Sequence, residues 1–171
     1  LYIALIWHQQ QSMYFDPNKD EMQGPWIRKH ATKDYYDMAA MVEPYKEVHF
    51  TVNLSTTLLM QLQKYIARIG PYYNAKTNRI NAADFLAKWA NKTDPWIDLL
   101  LKPTPSPESL SARQKELFYN APWSTVSTSP KTMYFFPEYE ALRDKNRAHY
   151  TKEDLLHLKF YFEVAWFDPS F

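Results

Sequence analysis

The feature that most constrains the fold is the run of mostly aliphatic residues at the start of the chain. Residues 1–8 show no polar alternation, which is typical of a strand buried on both faces of a parallel sheet. The run ends at Trp7 and His8 and is followed by three glutamines. Polar groups at the carboxyl end of a parallel strand favour a binding site at that position. Since the chain begins within this strand, we expect it to be part of a longer protein.

A β-α-β unit is predicted over the first 70 residues. A helical spacing of apolar side chains predicts a helix over residues 31–42, and alternating residues predict a second strand over 48–53. Ser55 then suits the N-cap of a helix that includes residues 58–65. Strand, helix, strand and helix in this order indicate two parallel strands joined by a crossover.

The remainder of the chain is predicted to be largely helical. Residues 81–90 and 95–101 have helical patterns, and Asp94 is the expected cap of the second. Ser111 has capping-box spacing at the start of another helix, and residues 151–154 begin a final helix. Residues 102–107 form a proline-rich connection. No third convincing strand is visible, and two parallel strands do not form a normal sheet alone. We therefore expect further strands from the rest of the protein or from a partner.

The composition excludes several classes of function. A net charge of +1 gives no electrostatic basis for nucleic-acid binding, and the chain has no cysteine for disulfides or thiolate metal sites. It has only two glycines, which excludes a glycine-rich phosphate loop. No apolar run approaches the roughly 18 residues that span a membrane. We expect no cofactor and no membrane association; the compartment is not specified, with the cytoplasm favoured.

Five segments in register resemble family 57 glycoside hydrolases. Residues 7–12 resemble that family's first motif, and similar matches follow over nearly the whole chain. The other segments are residues 25–35, 48–54, 94–103 and 154–169.

The resemblance implies an incomplete seven-stranded (β/α) barrel that acts on α-glucans by a retaining mechanism. Residues 1–71 would supply the first two β/α units, and residues 72–171 a helical, proline-containing insertion with a final helix. The family's catalytic Glu and Asp would lie beyond Phe171, so we expect a fragment that binds substrate without hydrolysing it. Its partners would be an α-glucan or oligosaccharide and the remainder of its own barrel.

The first motif departs from the usual family pattern Trp-His-x-His-Gln-Pro. Gln10 replaces the second His and Ser12 replaces the Pro. A neutral amide still forms hydrogen bonds with a sugar hydroxyl, but it does not titrate near neutrality as imidazole does. Two interpretations of the chain are compatible with these changes: a divergent enzyme, or a non-catalytic carbohydrate-binding relative.

Seven residues are candidates for substrate binding. His8 and Gln10 would contact hydroxyls, and the alternative for His8 is a buried histidine bonded to backbone. Three further candidates, Trp26, Arg28 and His30, lie on an expected loop before the helix. The alternative for this loop is a packed Trp and a surface salt bridge. The full set is Trp7, His8, Gln10, Trp26, Arg28, His30 and Asn53.

Catalytic and metal-binding residues are not nominated. Glycoside hydrolysis needs two carboxylates that flank one bond, and no Asp or Glu stands at the end of a predicted strand. The five histidines are scattered and lack the spacing of metal ligands.

Overall fold

The computed structural model describes residues 3–120 and 122–168. The chain divides into two compact units, one formed by residues up to Thr93 together with Asp168, and the other by Asp94–Phe167. The first unit mixes helices and strands, and the second is helical. The model is thus a mixed α/β structure.

A two-stranded parallel sheet lies in the first unit. Strand β1 (Ile6–Gln9) pairs with β4 (Thr51–Leu54), with His8 beside Asn53. The parallel pairing confirms the predicted β-α-β arrangement. In the described residues this sheet has no further strand, so both strands carry an unpaired edge.

The prediction that the first strand is long and buried on both faces is wrong for this structure. The strand is four residues long, and Leu5 and Ile6 are 49% and 67% exposed. Residues 1 and 2 of the predicted strand lie outside the described residues. Burial on both faces requires neighbours in the sheet and layers on either side, which these residues do not have here.

The connection between the two strands contains a short hairpin and two helices. Strands β2 (Phe15–Asp16) and β3 (Glu21–Met22) form the antiparallel hairpin. Helices α1 (Trp26–Thr32) and α2 (Asp34–Val42) follow. The predicted helix over 31–42 is therefore two helices, because the backbone at Lys33 (φ −122°, ψ −93°) leaves the helical region.

Helix α3 (Thr56–Ile69) follows β4 and begins as the sequence predicts. The Ser55 hydroxyl accepts a hydrogen bond from the Leu58 amide at 3.3 Å, which confirms the predicted cap. A second short hairpin pairs β5 (Tyr73–Asn74) with β6 (Arg79–Ile80).

Helix α4 (Ala82–Trp89) follows this hairpin, and Asn81 caps it through the Asp84 amide. The prediction of a helix over residues 81–90 is thus confirmed within a residue at each end.

The second unit is built around one apolar core. Its α-helices are α5 (Pro95–Leu101), α6 (Ala112–Lys115), α7 (Pro130–Met133), α8 (Pro137–Asp144) and α9 (Lys152–Val164). A π-helical segment, Glu116–Asn120, continues α6. Phe118, Tyr139, Leu155 and Leu158 are completely buried in this core.

The predicted caps of this unit are confirmed. Asp94 accepts hydrogen bonds from the amides of Trp96 and Ile97, both at 3.0 Å, and begins α5. Ser111 and Thr151 form capping boxes at α6 and α9. Such caps depend on a few neighbouring residues, which is why the sequence locates them well.

The fold is compatible with part of a (β/α) barrel, and a seven-stranded barrel is not shown by these residues. Within residues 3–120 and 122–168, no helix has the length and apolar character to cross a bilayer. The proposed boundary between residues 1–71 and 72–171 stays a prediction.

Candidate functional site

Two of the predicted residues share one face of the parallel sheet near its carboxyl end, and a third follows directly after the strand. His8 and Asn53 are paired across β1 and β4, so their side chains project from the same face. The Nε2 atom of His8 lies 2.8 Å from Oε1 of Gln10 in an exposed hydrogen bond. Together the three side chains present an imidazole and two amides to solvent.

Trp7 lies on the opposite face of the sheet. Its ring packs against Phe50 with the ring centroids 4.3 Å apart, and its side chain is half-buried. Alternation along a strand places Trp7 and His8 on opposite faces. The structure therefore does not bring Trp7 together with His8, Gln10 and Asn53.

The face that carries Trp7 contacts helix α2 through Gln9. Gln9, which shares it, is 7% exposed, and its Nε2 atom lies 3.6 Å from Sδ of Met38. In a (β/α) barrel the helices cover the outer face of the strands, and the other face lines the barrel interior. His8 and Asn53 lie on the other face of this two-stranded sheet.

Tyr35 connects the end of β1 with the helical part of the candidate site. Its hydroxyl lies 3.4 Å from the carbonyl oxygen of Gln10, and its ring centroid is 6.2 Å from that of His30. Burial raises the pKa of the Tyr35 phenol, which keeps it a neutral hydrogen-bonding group. In the sequence, Tyr35 belongs to the predicted helix over 31–42 and to the segment 25–35 that resembles the family, and nothing there indicates a contact with Gln10.

The predicted loop that carries Trp26, Arg28 and His30 is helical, so that prediction is wrong. All three residues lie in α1, which begins directly after Pro25. Trp26 and His30 are one turn apart, and their ring centroids are 6.2 Å apart. Arg28 is two residues from each, and such residues do not share a helix face.

His30 is held by a carboxylate at the start of α2. Its Nδ1 atom forms a hydrogen bond with Oδ2 of Asp34. This hydrogen bond, with the nearby charges of His30 and Lys33, lowers the pKa of the Asp34 carboxyl. Fixing Nδ1 in this way orients the ring and its Nε2 atom.

Gln61 holds the segment that follows β1, and sequence reasoning missed it. Its Oε1 atom accepts hydrogen bonds from the amides of Tyr14 (2.8 Å) and Phe15 (3.0 Å). Its Nε2 atom donates to the carbonyl oxygens of Ser12 (3.0 Å) and Thr57 (2.9 Å). The completely buried amide therefore forms four hydrogen bonds.

A signal for Gln61 was present in the sequence. The buried side of α3 consists of Leu58, Gln61, Tyr65 and Arg68 at helical spacing. A polar residue on the inward side of an amphipathic helix needs a partner, because an unpaired buried amide is costly.

Several aspartates of the first unit form ion pairs with basic side chains. Asp37 pairs with Lys33 at 3.4 Å, and Asp20 pairs with Arg68. Asp16 ends β2 and lies 3.8 Å from Nζ of Lys19. Over residues 3–120 and 122–168, no cluster of three or more His, Asp or Glu side chains is arranged to bind a metal ion.

Comparison with known proteins identifies a family. Residues 4–170, nearly the whole chain, match the family model described as glycosyl hydrolase family 57. No curated protein and no solved structure matches the chain. The match supports a glycoside hydrolase as the class of enzyme, with a carbohydrate as substrate. The match agrees with the resemblance of residues 7–12 to the family's first motif, in which His8 stands at the end of a parallel strand. The chain belongs to glycosyl hydrolase family 57.

Proposed function

We propose that this chain forms the substrate-binding start of a (β/α) barrel that acts on α-glucans by a retaining mechanism, as a hydrolase or a glucanotransferase. The observation that carries the proposal is the clustering of His8, Gln10 and Asn53 on the uncovered face of two parallel strands. Binding sites of such barrels are built at the carboxyl ends of the strands.

The three side chains suit hydroxyl groups. Imidazole and amides both donate and accept hydrogen bonds, as a sugar hydroxyl does. The hydrogen bond from His8 to Gln10 holds the two groups in a defined orientation. Gln10 thus retains a polar contact where the family usually has a second histidine, without its charge.

Helix α1 would supply a second set of contacts. Trp26 and His30 lie on one side of α1, and the hydrogen bond to Asp34 orients His30. We propose that the Trp26 ring packs on a pyranose and that His30 contacts a hydroxyl. Arg28 projects from a different side of α1 and would contact a more distant part of the substrate. Trp7 would shape the site from behind the sheet.

The catalytic carboxylates are proposed to lie outside the two strands described. A retaining mechanism needs two carboxyl groups about 5–5.5 Å apart at the scissile bond. Strands β1 and β4 end in Gln9 and Leu54, and the nearby Asp34 and Asp37 are held by His30 and Lys33. These pairs leave the two aspartates in structural roles.

Further strands of the barrel are proposed to cover the exposed sheet. Ile3, Leu5 and Ile6 are between 49% and 78% exposed, and Val52 and Leu54 are more than 40% exposed. Apolar side chains of a parallel strand are normally covered on both faces. We propose that residues 1–71 give the first two β/α units and that residues 72–171 belong to an insertion and a final helix.

An alternative is a carbohydrate-binding relative without catalysis. The observation that favours it is the replacement of the usual His and Pro by Gln10 and Ser12. An assay of the natural gene product with maltoheptaose separates the two. Turnover with retention of anomeric configuration supports the enzyme, and saturable binding without turnover supports the binding protein.

The proposed binding site is tested by titrating the 171-residue chain with maltoheptaose. We expect His8→Ala and Asn53→Ala each to raise the Kd about tenfold, which corresponds to the loss of one good hydrogen-bonded contact. His149→Ala, which changes an exposed histidine in the second unit, is the control. Unchanged affinity in both site variants would contradict the proposal, and hydrolysis by this chain would contradict the placement of the carboxylates.

A further inference from the structure

A second candidate binding site lies at the hairpin of β5 and β6. There an open groove with a volume of about 690 Å³ is lined by Tyr72, Tyr73, Asn74, Lys76, Asn81 and Asp84. This volume is within the usual range for small-ligand sites, roughly 300–1,000 Å³. None of these residues belongs to the site at the strand ends.

The walls of the groove combine aromatic faces with short polar groups. Tyr73 is 50% exposed, so part of its ring is accessible to a ligand. Tyr72 packs edge-on against the completely buried Phe85, with the ring centroids 5.7 Å apart. One tyrosine thus anchors the groove to the core while the other presents a surface.

The groove is held in shape by local hydrogen bonds. The Tyr73 hydroxyl donates to Oδ1 of Asn78 at 2.8 Å. The side-chain nitrogen Nδ2 of Asn81 donates to Oδ2 of Asp84 at 2.6 Å. The backbone amide of Asn81 donates to the Tyr72 carbonyl at 2.8 Å. A preformed wall lowers the entropic cost of binding a ligand.

The chemistry of the lining favours a neutral, hydroxyl-rich ligand. The Oδ1 atoms of Asn74 and Asn81 accept hydrogen bonds from backbone amides of the turn and of the helix cap. The groups that remain for a ligand are side-chain N–H donors of the two asparagines, the Lys76 ammonium and the Oδ1 atom of Asp84. One ammonium and one carboxylate give no excess of positive charge for a phosphate or another anion. The electron-rich face of Tyr73 suits the C–H groups on the flat side of a pyranose ring.

We infer that this groove is a surface site for a short neutral oligosaccharide, separate from the site at the strand ends. Tyr73 stacks on one sugar ring, and Asn81 with Asp84 binds its hydroxyls. The inference goes beyond the proposed function, because it concerns different residues and requires no catalysis.

The test is an NMR titration of the ¹⁵N-labelled 171-residue chain with maltotriose and, separately, with cellotriose. We expect saturable shifts of the amides of residues 72–84 with at least one sugar. Tyr73→Ser should raise the Kd for those shifts about tenfold, whereas Tyr73→Phe, which keeps the ring, should change it less than about threefold. Tyr45→Ser removes a tyrosine of similar exposure outside the groove and should leave the Kd unchanged.

The outcomes distinguish this site from the first one. Groove shifts that persist in His8→Ala support the inference even if the strand-end site fails to bind. The inference is overturned if neither sugar gives saturable shifts, if Tyr73→Ser binds as the wild type does, or if only inorganic phosphate shifts these amides. Unchanged spectra outside the groove show that the variants are folded.

Discussion

At the scale of single residues, two aspartates in α2 have opposite pKa shifts. Asp34 is partly exposed and is bonded to His30, and this hydrogen bond lowers its pKa. Asp37 is buried, and burial raises its pKa in spite of its ion pair with Lys33. The nearby charge of Asp168 acts in the same direction as burial.

These directions give opposite effects of pH on stability. The lowered pKa of Asp34 means that its ionised form stabilises the native state above pH 3.8, and that this contribution is lost as the pH falls further. The raised pKa of Asp37 means that stability is lost as the pH rises from 3.8 through the native value.

We therefore expect Asp34→Asn to lower the free energy of unfolding at pH 7, by less than about 1 kcal/mol because the pair is solvent-screened. Asp37→Asn should raise it at pH 7. Both differences should shrink as the pH falls below 3.8, where the carboxyls become protonated. Urea unfolding between pH 7 and pH 3 measures this, with the exposed Glu47→Gln as control. Changes of the same sign in both variants at pH 7 would contradict the assignment.

The residues of the site differ in how far the sequence predicts them. His8 and Gln10 follow from a motif at a strand end, since alternation puts both on one face. The sequence predicts Trp26, Arg28 and His30 together on a loop, and the helix separates Arg28 from the other two. The direction in which a side chain points depends on whether the backbone is helical or extended. The spacing of these residues alone does not reveal which of the two conformations the segment has.

At the scale of elements, one side chain of α3 fixes the segment after β1. Gln61 forms hydrogen bonds with the backbone of Ser12, Tyr14 and Phe15. Helix α3 therefore fixes the position of the loop that follows His8 and Gln10. A loop that carries binding groups needs such an anchor to hold them in a productive geometry.

We expect Gln61→Met to lower the free energy of unfolding by about 2–3 kcal/mol, since it removes four hydrogen bonds to partly buried backbone groups. It should also weaken maltoheptaose binding at the strand ends, because the loop is no longer held. Chemical denaturation and the sugar titration measure the two effects.

Gln63→Met is the matched control. Gln63 lies on the same helix and is exposed, so its replacement should change stability by no more than about 0.5 kcal/mol. Equal losses in the two variants would show that the four hydrogen bonds of Gln61 do not stabilise the loop.

Helix boundaries were predictable where a local cap defines them. Asp94, Ser111 and Thr151 each bind an amide two or three residues ahead, and each begins a helix as expected. Helix α1 has no side-chain cap hydrogen bond at Pro25, and its start was not recognised. The sequence therefore locates a helix start that has a side-chain cap and does not locate one that lacks such a cap.

At the scale of the whole molecule, the exposed parallel sheet is a surface for association. Ile6 is 67% exposed on the sheet, and in the described residues both strands have unpaired edges. Exposed edges with apolar side chains pair readily with other chains. A closed barrel would remove these edges.

We expect the 171-residue chain to self-associate with rising concentration and Ile6→Lys to reduce this association. A charge on an edge strand opposes pairing with a second edge. Sedimentation velocity measures the associated fraction. Tyr134→Lys, at a helical position with 77% exposure, should leave it unchanged. If both variants associate as the wild type does, the sheet is not the contact surface.

The sequence alone determined the two parallel strands, the helices with side-chain caps and the family. Strand patterns, caps and the motif around His8 depend on neighbours within a few residues, so they can be read without coordinates. Only the tertiary structure decided that Tyr35 joins β1 to α1, that Gln61 anchors the loop and that Tyr73 lines a groove. Those relations join residues distant in sequence or depend on how the chain folds back, and no local pattern specifies them.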